Sequence, residues 1–324
     1  MREIFITAND GGQRLDRFLK KYLSNAPLSY IYKALRKDVK LNGKKASENT
    51  MLSEGDVVAL YIADSELDLY TRKKKQFHAK RQFTIAYEDD DLIAVNKPFG
   101  LLVHGDSNEK KDTLANQVTD YLIETGAYEP RAEKSFTPSP VHRLDRNTTG
   151  IVVFGKNAQA LRTLTQMFRE DGLISKFYYC IACGELREDL HLKNKLVKDE
   201  QRNRGKVLPL ESPDGRYIET IVHPVAARKG YSLLRVELVT GRSHQIRAHL
   251  AYAGYPLLGD TKYGGRRTEQ NTQLLHAGEL HIHEAPEPLD RLTGLVIKSA
   301  VPLWSAPEAQ LFTREIEHIN KGVK

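Results

Sequence analysis

Apolar residues follow two different rhythms along this chain, and the rhythm changes near residue 83. Leu15, Phe18, Leu19, Tyr22 and Leu23 recur at steps of three and four, which predicts a short amphipathic helix from about Arg14 to Leu23. Ser29, Ile31, Ala34 and Leu35 predict a second. Asn42-Gly43 then interrupts the strand-like run from Val39, as a tight hairpin would, and Gly55-Asp56 leads into an apolar strand from Val57 to Ile62. Residues 1–62 therefore read as a small module of two helices and a sheet. Residues 63–82 lose the periodicity. They are acidic around Asp64-Ser-Glu-Leu-Asp-Leu and basic from Thr71 to Arg81, which predicts an exposed linker arm.

From 83 to 324 strand patterns dominate. Thr84–Glu88 and Leu92–Lys97 predict adjacent strands across a turn at Asp89-Asp90. One helix is expected from an Asp112 cap through Leu114, Val118, Tyr121 and Leu122 to about Gly126, and another from Asn157 with Leu161, Leu164, Met167 and Phe168 on one face. Further strands are expected near 176–183, 217–223 and 231–239, and the polar run Lys198–Lys206 reads as a loop. Strands outnumber helices and do not alternate with them regularly. The fold class is therefore α+β, with a mixed, largely antiparallel sheet.

Charge separates the two parts further. The 324 residues carry 49 Lys and Arg against 42 Asp and Glu, a net +7. All of that excess lies in residues 1–82, with 17 basic and 10 acidic side chains; residues 83–324 hold 32 of each. Such a skew suits a polyanion, and the absence of a long apolar span favours nucleic acid over a membrane. The first residues lack a signal-peptide core, so a cytoplasmic location is expected. Cys180 and Cys183 form a Cys-x-x-Cys inside the strand-like run Lys176–Gly184, where side chains three apart point to opposite faces. They read as two packed thiols, and neither they nor the histidine pairs His281-x-His283 and His244-x4-His249 give a metal site.

The densest chemistry is the nonapeptide His142-Arg143-Leu144-Asp145-Arg146-Asn147-Thr148-Thr149-Gly150. Flanking arginines favour the ionised form of Asp145, and an ionised carboxylate can act as a nucleophile. On its own, an Asp-Arg dipeptide reads first as an ordinary surface ion pair closing a turn before the strand Ile151–Phe154. The whole nonapeptide, however, resembles the signature of the RluA-type pseudouridine synthases: His-Arg-Leu-Asp, two variable residues, Thr-Ser-Gly. Thr149 stands where Ser is usual and keeps the hydroxyl. Lys176-Phe-Tyr178 resembles that family's Lys-x-Tyr, and Thr240-Gly-Arg-Ser-His-Gln-Ile-Arg-Ala-His-Leu250 is similar to a third family segment. Asn96–His104, Leu258-Gly-Asp260 with Tyr263-Gly264, and Leu275-His-Ala277 are also similar to family segments. Gly12–Leu19 and Val39–Lys45 resemble the S-four-like RNA-binding domain that often precedes such a catalytic domain.

The resemblance implies a pseudouridine synthase fold over 83–324, with Asp145, Tyr178 and Arg247 as catalytic residues and Arg247 paired to Asp145. It implies substrate contacts from His142, Arg143, Leu144, Thr148, Lys176, Arg242, His244 and Gln245, and phosphate contacts from Arg14, Arg17, Arg36, Lys37 and Lys40. The implied reaction turns uridine in RNA into pseudouridine without cofactor or metal, and the chain is expected to act as a monomer. Large-subunit ribosomal RNA is the substrate favoured by the resemblance, with transfer RNA as competitor. Asp145 would add to the sugar, add to the base, or take a ribose proton. Two other classes stay open: a non-catalytic RNA-binding factor, and a glycosidase, which would need a second carboxylate that no matched segment was seen to supply.

Overall fold

The computed structural model describes residues 1–71, 78–107, 109–199 and 204–323. Its N-terminal part contains β1 (Arg2–Phe5), β2 (Gln13–Arg14), α1 (Leu15–Tyr22), α2 (Leu28–Lys37), β3 (Val39–Leu41), β4 (Met51–Leu52), β5 (Val57–Leu60) and α3 (Asp64–Tyr70). The helical spacing is what carries Leu15, Phe18 and Leu19 of α1 and Ile31, Ala34 and Leu35 of α2 into one core with Ile4, Val58 and Leu60 of the β1-β5-β3 sheet. Asn42 and Gly43 both have positive φ, 50° and 75°, which the tight turn between Leu41 and Lys44 requires.

The larger part contains β6 (Thr84–Glu88), β7 (Leu92–Lys97), α4 (Leu114–Glu124), β8 (Ser139–Pro140), β9 (Thr149–Gly155), α5 (Ala158–Met167), β10 (Ile174–Cys183), β11 (Leu190–Asp199), β12 (Arg204–Leu208), β13 (Arg216–Arg228), β14 (Tyr231–Leu238), α6 (Gln245–Tyr252), β15 (Leu275–Ile282), β16 (Val296–Lys298), α7 (Pro307–Gln310) and α8 (Thr313–Asn320). One sheet runs in the order β12-β11-β13-β14-β10-β15-β9-β7-β6, with β16 on β15 and β8 on β9. Its pairs among the described residues are antiparallel except β15 with β9. This is the mixed α+β sheet expected. The main core covers one face of it, joining Leu114, Val118 and Leu122 of α4 to Val152 and Phe154 of β9, Tyr178 and Cys180 of β10, and Ile246 and Leu250 of α6. Cys183, three residues after the fully buried Cys180, packs instead with Tyr179 and Ile181 in a separate core that α8 helps to close.

Three local expectations need correction. Residues 64–70 are not an exposed arm: α3 buries Leu67 completely in the N-terminal core and sets Tyr70 at a tilt against Tyr30, with ring centroids 4.4 Å apart. One apolar contact per turn over seven mostly acidic residues is too little to register as periodicity. Of the basic stretch that follows, residues 72–77 lie outside the described residues. Ala79 and Gln82 then donate their backbone N–H groups to Asp120 and Gln117 of α4, each at 2.9 Å. The cap of α4 is Thr113, whose hydroxyl accepts from the Asn116 N–H, rather than Asp112. Finally, the run read as a loop includes the end of β11 and the start of β12, paired Lys198 to Gly205 and Asp199 to Arg204. A ribbon at the sheet margin has little to bury, so it carries no apolar signal.

The N-terminal part is seated on the larger one through polar contacts. Asp10 accepts from the Ser135 N–H at 2.8 Å and its hydroxyl at 2.6 Å, and Asn9 accepts from the Ala158 N–H at 2.9 Å, at the start of α5. Leu67→Ala should destabilise the N-terminal part by about 2–5 kcal/mol, the usual cost of emptying a buried leucine site. Chemical denaturation monitored at the N-terminal tyrosines checks this; a loss below about 0.5 kcal/mol, as at exposed positions, would return 64–70 to a linker.

Candidate active site

Strand order brings the three signature segments together. The nonapeptide feeds directly into β9, Tyr178 lies in β10, β15 runs between them, and α6 follows the strand on the other side of β10. Gly150 makes this possible. Its φ is +108°, and a Cβ there would sit 2.2 Å from the Ala277 carbonyl oxygen, so only glycine lets β9 close into parallel register with Ala277 of β15. Ala277 in turn pairs with Tyr178, just after an irregularity in the ladder between Phe177 and Tyr178. Leu144 and Ile246 are buried in the main core, and each fixes the polar residue that follows it, Asp145 and Arg247.

Arg247 divides its guanidinium between two carboxylates. Nη1 donates to Asp145 Oδ2 at 2.9 Å, while Nε and Nη2 donate to Asp260 Oδ2 and Oδ1 at 2.6 and 2.9 Å. The Asp260 side chain is 2% exposed, that of Arg247 8%, and that of Asp145 27%, so only Asp145 opens to solvent. Burial works against the Arg247 charge, but the hydrogen bonds and charge of Asp260, and then of Asp145, raise its pKa above the ordinary value. His244 begins α6 at a φ of +56° and brings Nε2 to 3.7 Å from Asp145 Oδ2. Its Nδ1 lies 3.0 Å from the Tyr263 hydroxyl, and the Tyr263 ring sits against the Arg247 guanidinium at 5.1 Å. Burial lowers the His244 pKa, with the Asp145 charge opposing, so the ring is neutral at pH 7.

Lys97 completes the charge pattern from below. It is 1% exposed, and its ammonium donates to the carbonyls of Pro98, Leu101 and Arg146 at 2.9, 2.8 and 2.8 Å. Burial pushes its pKa down to about 7, against the pull of Asp145. Three carbonyls require three N–H donors, so this cage is made for the ammonium form and ties the nonapeptide to the loop after β7. Tyr178 is 7% exposed, and burial first, then the Asp145 charge, push its pKa upward, which keeps the phenol neutral.

The other expected site residues divide into two groups. Arg143 and Arg242 are exposed, and Lys176 is largely buried, its pKa lowered by that burial. His142, Leu144, Thr148 and Gln245 turn inward. His142 stacks on Phe168 at 4.6 Å and accepts the Val153 N–H at 3.2 Å; Thr148 accepts from the Gln273 amide at 3.2 Å. Gln245 donates to the Glu219 carbonyl and Thr220 and accepts from Thr240 and the Arg242 N–H, which uses all its polar capacity within the protein. All four thus pack or bond within the protein. In the N-terminal part Arg17, Arg36, Lys37 and Lys40 are exposed, whereas Arg14 spends two donors on Asp16 at 2.9 and 2.8 Å. Asp260, Lys97 and Tyr263 were visible only as members of matched segments without a role. Asp260 is also a second carboxylate in the site, contrary to expectation, yet its burial and its two bonds to Arg247 leave it no freedom to act as acid or base.

Residues 91–252 match the RNA pseudouridylate synthase family model. An uncharacterised RNA pseudouridine synthase of Mycoplasma capricolum is 31% identical over 302 residues, covering 92% of this chain and 97% of that protein. The chain belongs to the RNA pseudouridylate synthase family. It is thus an isomerase acting on RNA. The ribosomal large subunit pseudouridine synthase C of Escherichia coli is 33% identical over 293 residues, covering 87% of this chain and 86% of that protein. Among solved structures, human RNA pseudouridylate synthase domain containing 4 superposes with a TM-score of 0.53 at 21% identity, over 67% of this chain and 88% of that one, a likeness of fold. Among the described residues no helix is long and apolar enough to cross a membrane.

Buried histidines around the site make stability depend on pH. His276 accepts the Thr149 hydroxyl at Nδ1, 2.8 Å, and faces the Ser299 carbonyl with Nε2; burial lowers its pKa to about 4. His142 is lowered to about 3, by burial and then by Lys176. Between the ordinary value of 6.5 and these folded values only the unfolded chain takes up protons, so stability falls as pH drops below 6.5. Each histidine contributes up to about 1.4 kcal/mol per pH unit in that window. Thermal melts from pH 7 to 5 should show the decline, and His276→Gln should flatten it by about one proton; an unchanged slope would contradict a neutral buried His276.

Proposed function

We propose that this protein converts uridine to pseudouridine in large-subunit ribosomal RNA in the cytoplasm, with Asp145 as the reacting carboxylate. The observation that carries the catalytic reading is the 2.9 Å bond from buried Arg247 to partly open Asp145 beside buried, neutral Tyr178. The ribosomal target rests on relatives named for it, at about a third identity over most of the chain. In the isomerisation the bond from ribose to the uracil nitrogen breaks, a bond to ring carbon forms, that carbon gives up its proton and the freed nitrogen gains one. No outside atom or energy source enters.

The nucleotide must leave its stack to reach this chemistry, at a cost of a few kcal/mol that phosphate contacts offset. Arg143 and Arg242 are exposed beside the site, and Arg17, Arg36, Lys37 and Lys40 extend positive charge across the N-terminal part. Arg247 fixes the direction of the Asp145 carboxylate, and the Tyr178 ring supplies an apolar surface for the uracil. Asp145 acts on the sugar, the base or a ribose proton.

Asp145→Asn should fold and bind RNA but lose pseudouridine formation on total RNA from cells lacking this protein. Activity within tenfold of wild type would remove Asp145 from the role. Replacing Arg17, Arg36, Lys37 and Lys40 together by Ala should weaken RNA binding and flatten the plot of log affinity against log salt by roughly 0.7–0.9 per lost phosphate contact. Parallel slopes for the two proteins would mean that these side chains meet only solvent.

A further inference from the structure

A recess of about 340 Å³ opens beside the nonapeptide, within the size range of preformed small-molecule sites. Phe99 and Leu102, on the loop after β7, line one side, and Arg146, the residue after Asp145, lines another. Lys97 pins both sides at once. Its ammonium donates to the Pro98 and Leu101 carbonyls on the loop and to the Arg146 carbonyl on the nonapeptide. The recess is therefore built into the fold and held in fixed relation to Asp145. Phe99 is 47% exposed, with its ring open to a partner. Polar groups complete the lining. Glu109 accepts the Lys111 and Asp112 N–H groups at 2.8 and 3.0 Å, which fixes the turn that carries the Asp112 carboxylate. Gln82 spends its side-chain oxygen on the Gln117 amide at 2.8 Å and keeps its own amide N–H groups.

We propose that this recess is a second nucleotide subsite: it takes an unpaired base next to the target uridine, stacked on Phe99, and favours a base with an exocyclic amine through Asp112. Two carboxylates on the lining, Glu109 and Asp112, repel a phosphate, so the occupant is a base and not the RNA backbone. A base offers a flat face to Phe99, as in other sites that hold single strands. An acceptor-only carboxylate suits the amino group of adenine, cytosine or guanine better than uracil, whose corresponding edge carries carbonyls. The subsite also bears on the flip itself. When the uridine leaves its stack, the neighbouring base loses one of its stacking faces, and Phe99 replaces it, which lowers the cost of unstacking. Arg146 makes a long 3.4 Å contact to Asp106, with both side chains about half exposed, and can turn to the phosphate of the same nucleotide.

The proposal rests on the target uridine being held at Asp145, and activity of Asp145→Asn would remove that basis separately. The test is a cycle between protein and RNA. The target uridine is mapped by comparing RNA from cells with and without this protein, and a synthetic RNA spanning it is made with an abasic nucleotide at either neighbouring position. With the wild-type chain, one of the two abasic RNAs should raise KM by about 5- to 100-fold, the range of one lost base-on-ring stack, with kcat within about threefold. Phe99→Ala should do the same to the intact RNA, and combining the two changes should add less than about threefold, because both remove one contact. Uracil at that position should cost the wild-type chain at least about fivefold in kcat/KM, and Asp112→Asn should reduce this preference to within about twofold. Affinities of the same RNAs for Asp145→Asn repeat the cycle without turnover. A KM within about twofold of wild type in Phe99→Ala, or losses that multiply fully at both neighbouring positions, would overturn the subsite. A uracil at that position in the mapped target would overturn its preference for an amine.

Discussion

A single guanidinium shared unequally between two carboxylates governs this site. Placing Arg247 in the interior costs several kcal/mol in lost hydration, which only well-formed bonds to opposite charge can offset. Asp260 provides two of them deep in the protein, and Asp145 the third at the boundary with solvent. Depth separates the two: Asp260 is closed off at 2% exposure, and Asp145 reaches solvent at 27%. Removing Asp260 would leave the buried guanidinium with the single bond to Asp145, whereas removing Asp145 would leave it paired with Asp260.

The sheet supplies the distances. Among the described residues β9 and β15 form the parallel contact of an otherwise antiparallel sheet, and that contact exists because Gly150 has no side chain to strike Ala277. It puts the nonapeptide one strand away from Tyr178, while α6 brings Arg247 across the same face. Lys97 then fixes the height of the Asp145 loop by donating to the Arg146 carbonyl. Burying a lysine is tolerable here because three carbonyls satisfy its three protons at once. The signature residues His142, Thr148 and Gln245 serve this geometry by bonding inward, which explains why a segment so rich in polar groups presents few of them to solvent.

Elements with strong periodicity were legible from sequence: α1, α2, α5, β10 and β14 follow the spacing of their apolar residues closely. α3 was not, since one buried leucine in seven residues makes no pattern, and neither was the β11–β12 ribbon, which buries little. At the site, the three segments were readable, and the meeting of Asp145, Tyr178 and Arg247 follows from strand order. The role of Asp260 was not readable. It lies thirteen residues beyond Arg247, after the end of α6, in a stretch without apolar rhythm, and its importance appears only when both side chains are seen to share one buried spot. His142, Leu144, Thr148 and Gln245 were expected at the substrate; motif membership alone could not show that their side chains pack or bond within the protein.

A crystal structure of the wild-type chain bound to RNA containing a target uridine tests the central claim most directly. The account predicts a flipped uridine with its uracil against Tyr178, a carboxylate oxygen of Asp145 within about 3.5 Å of the ribose or the base, and Arg247 still divided between Asp145 and both oxygens of Asp260. A uridine held well away from Asp145, or an Arg247 that has left Asp145, would contradict it.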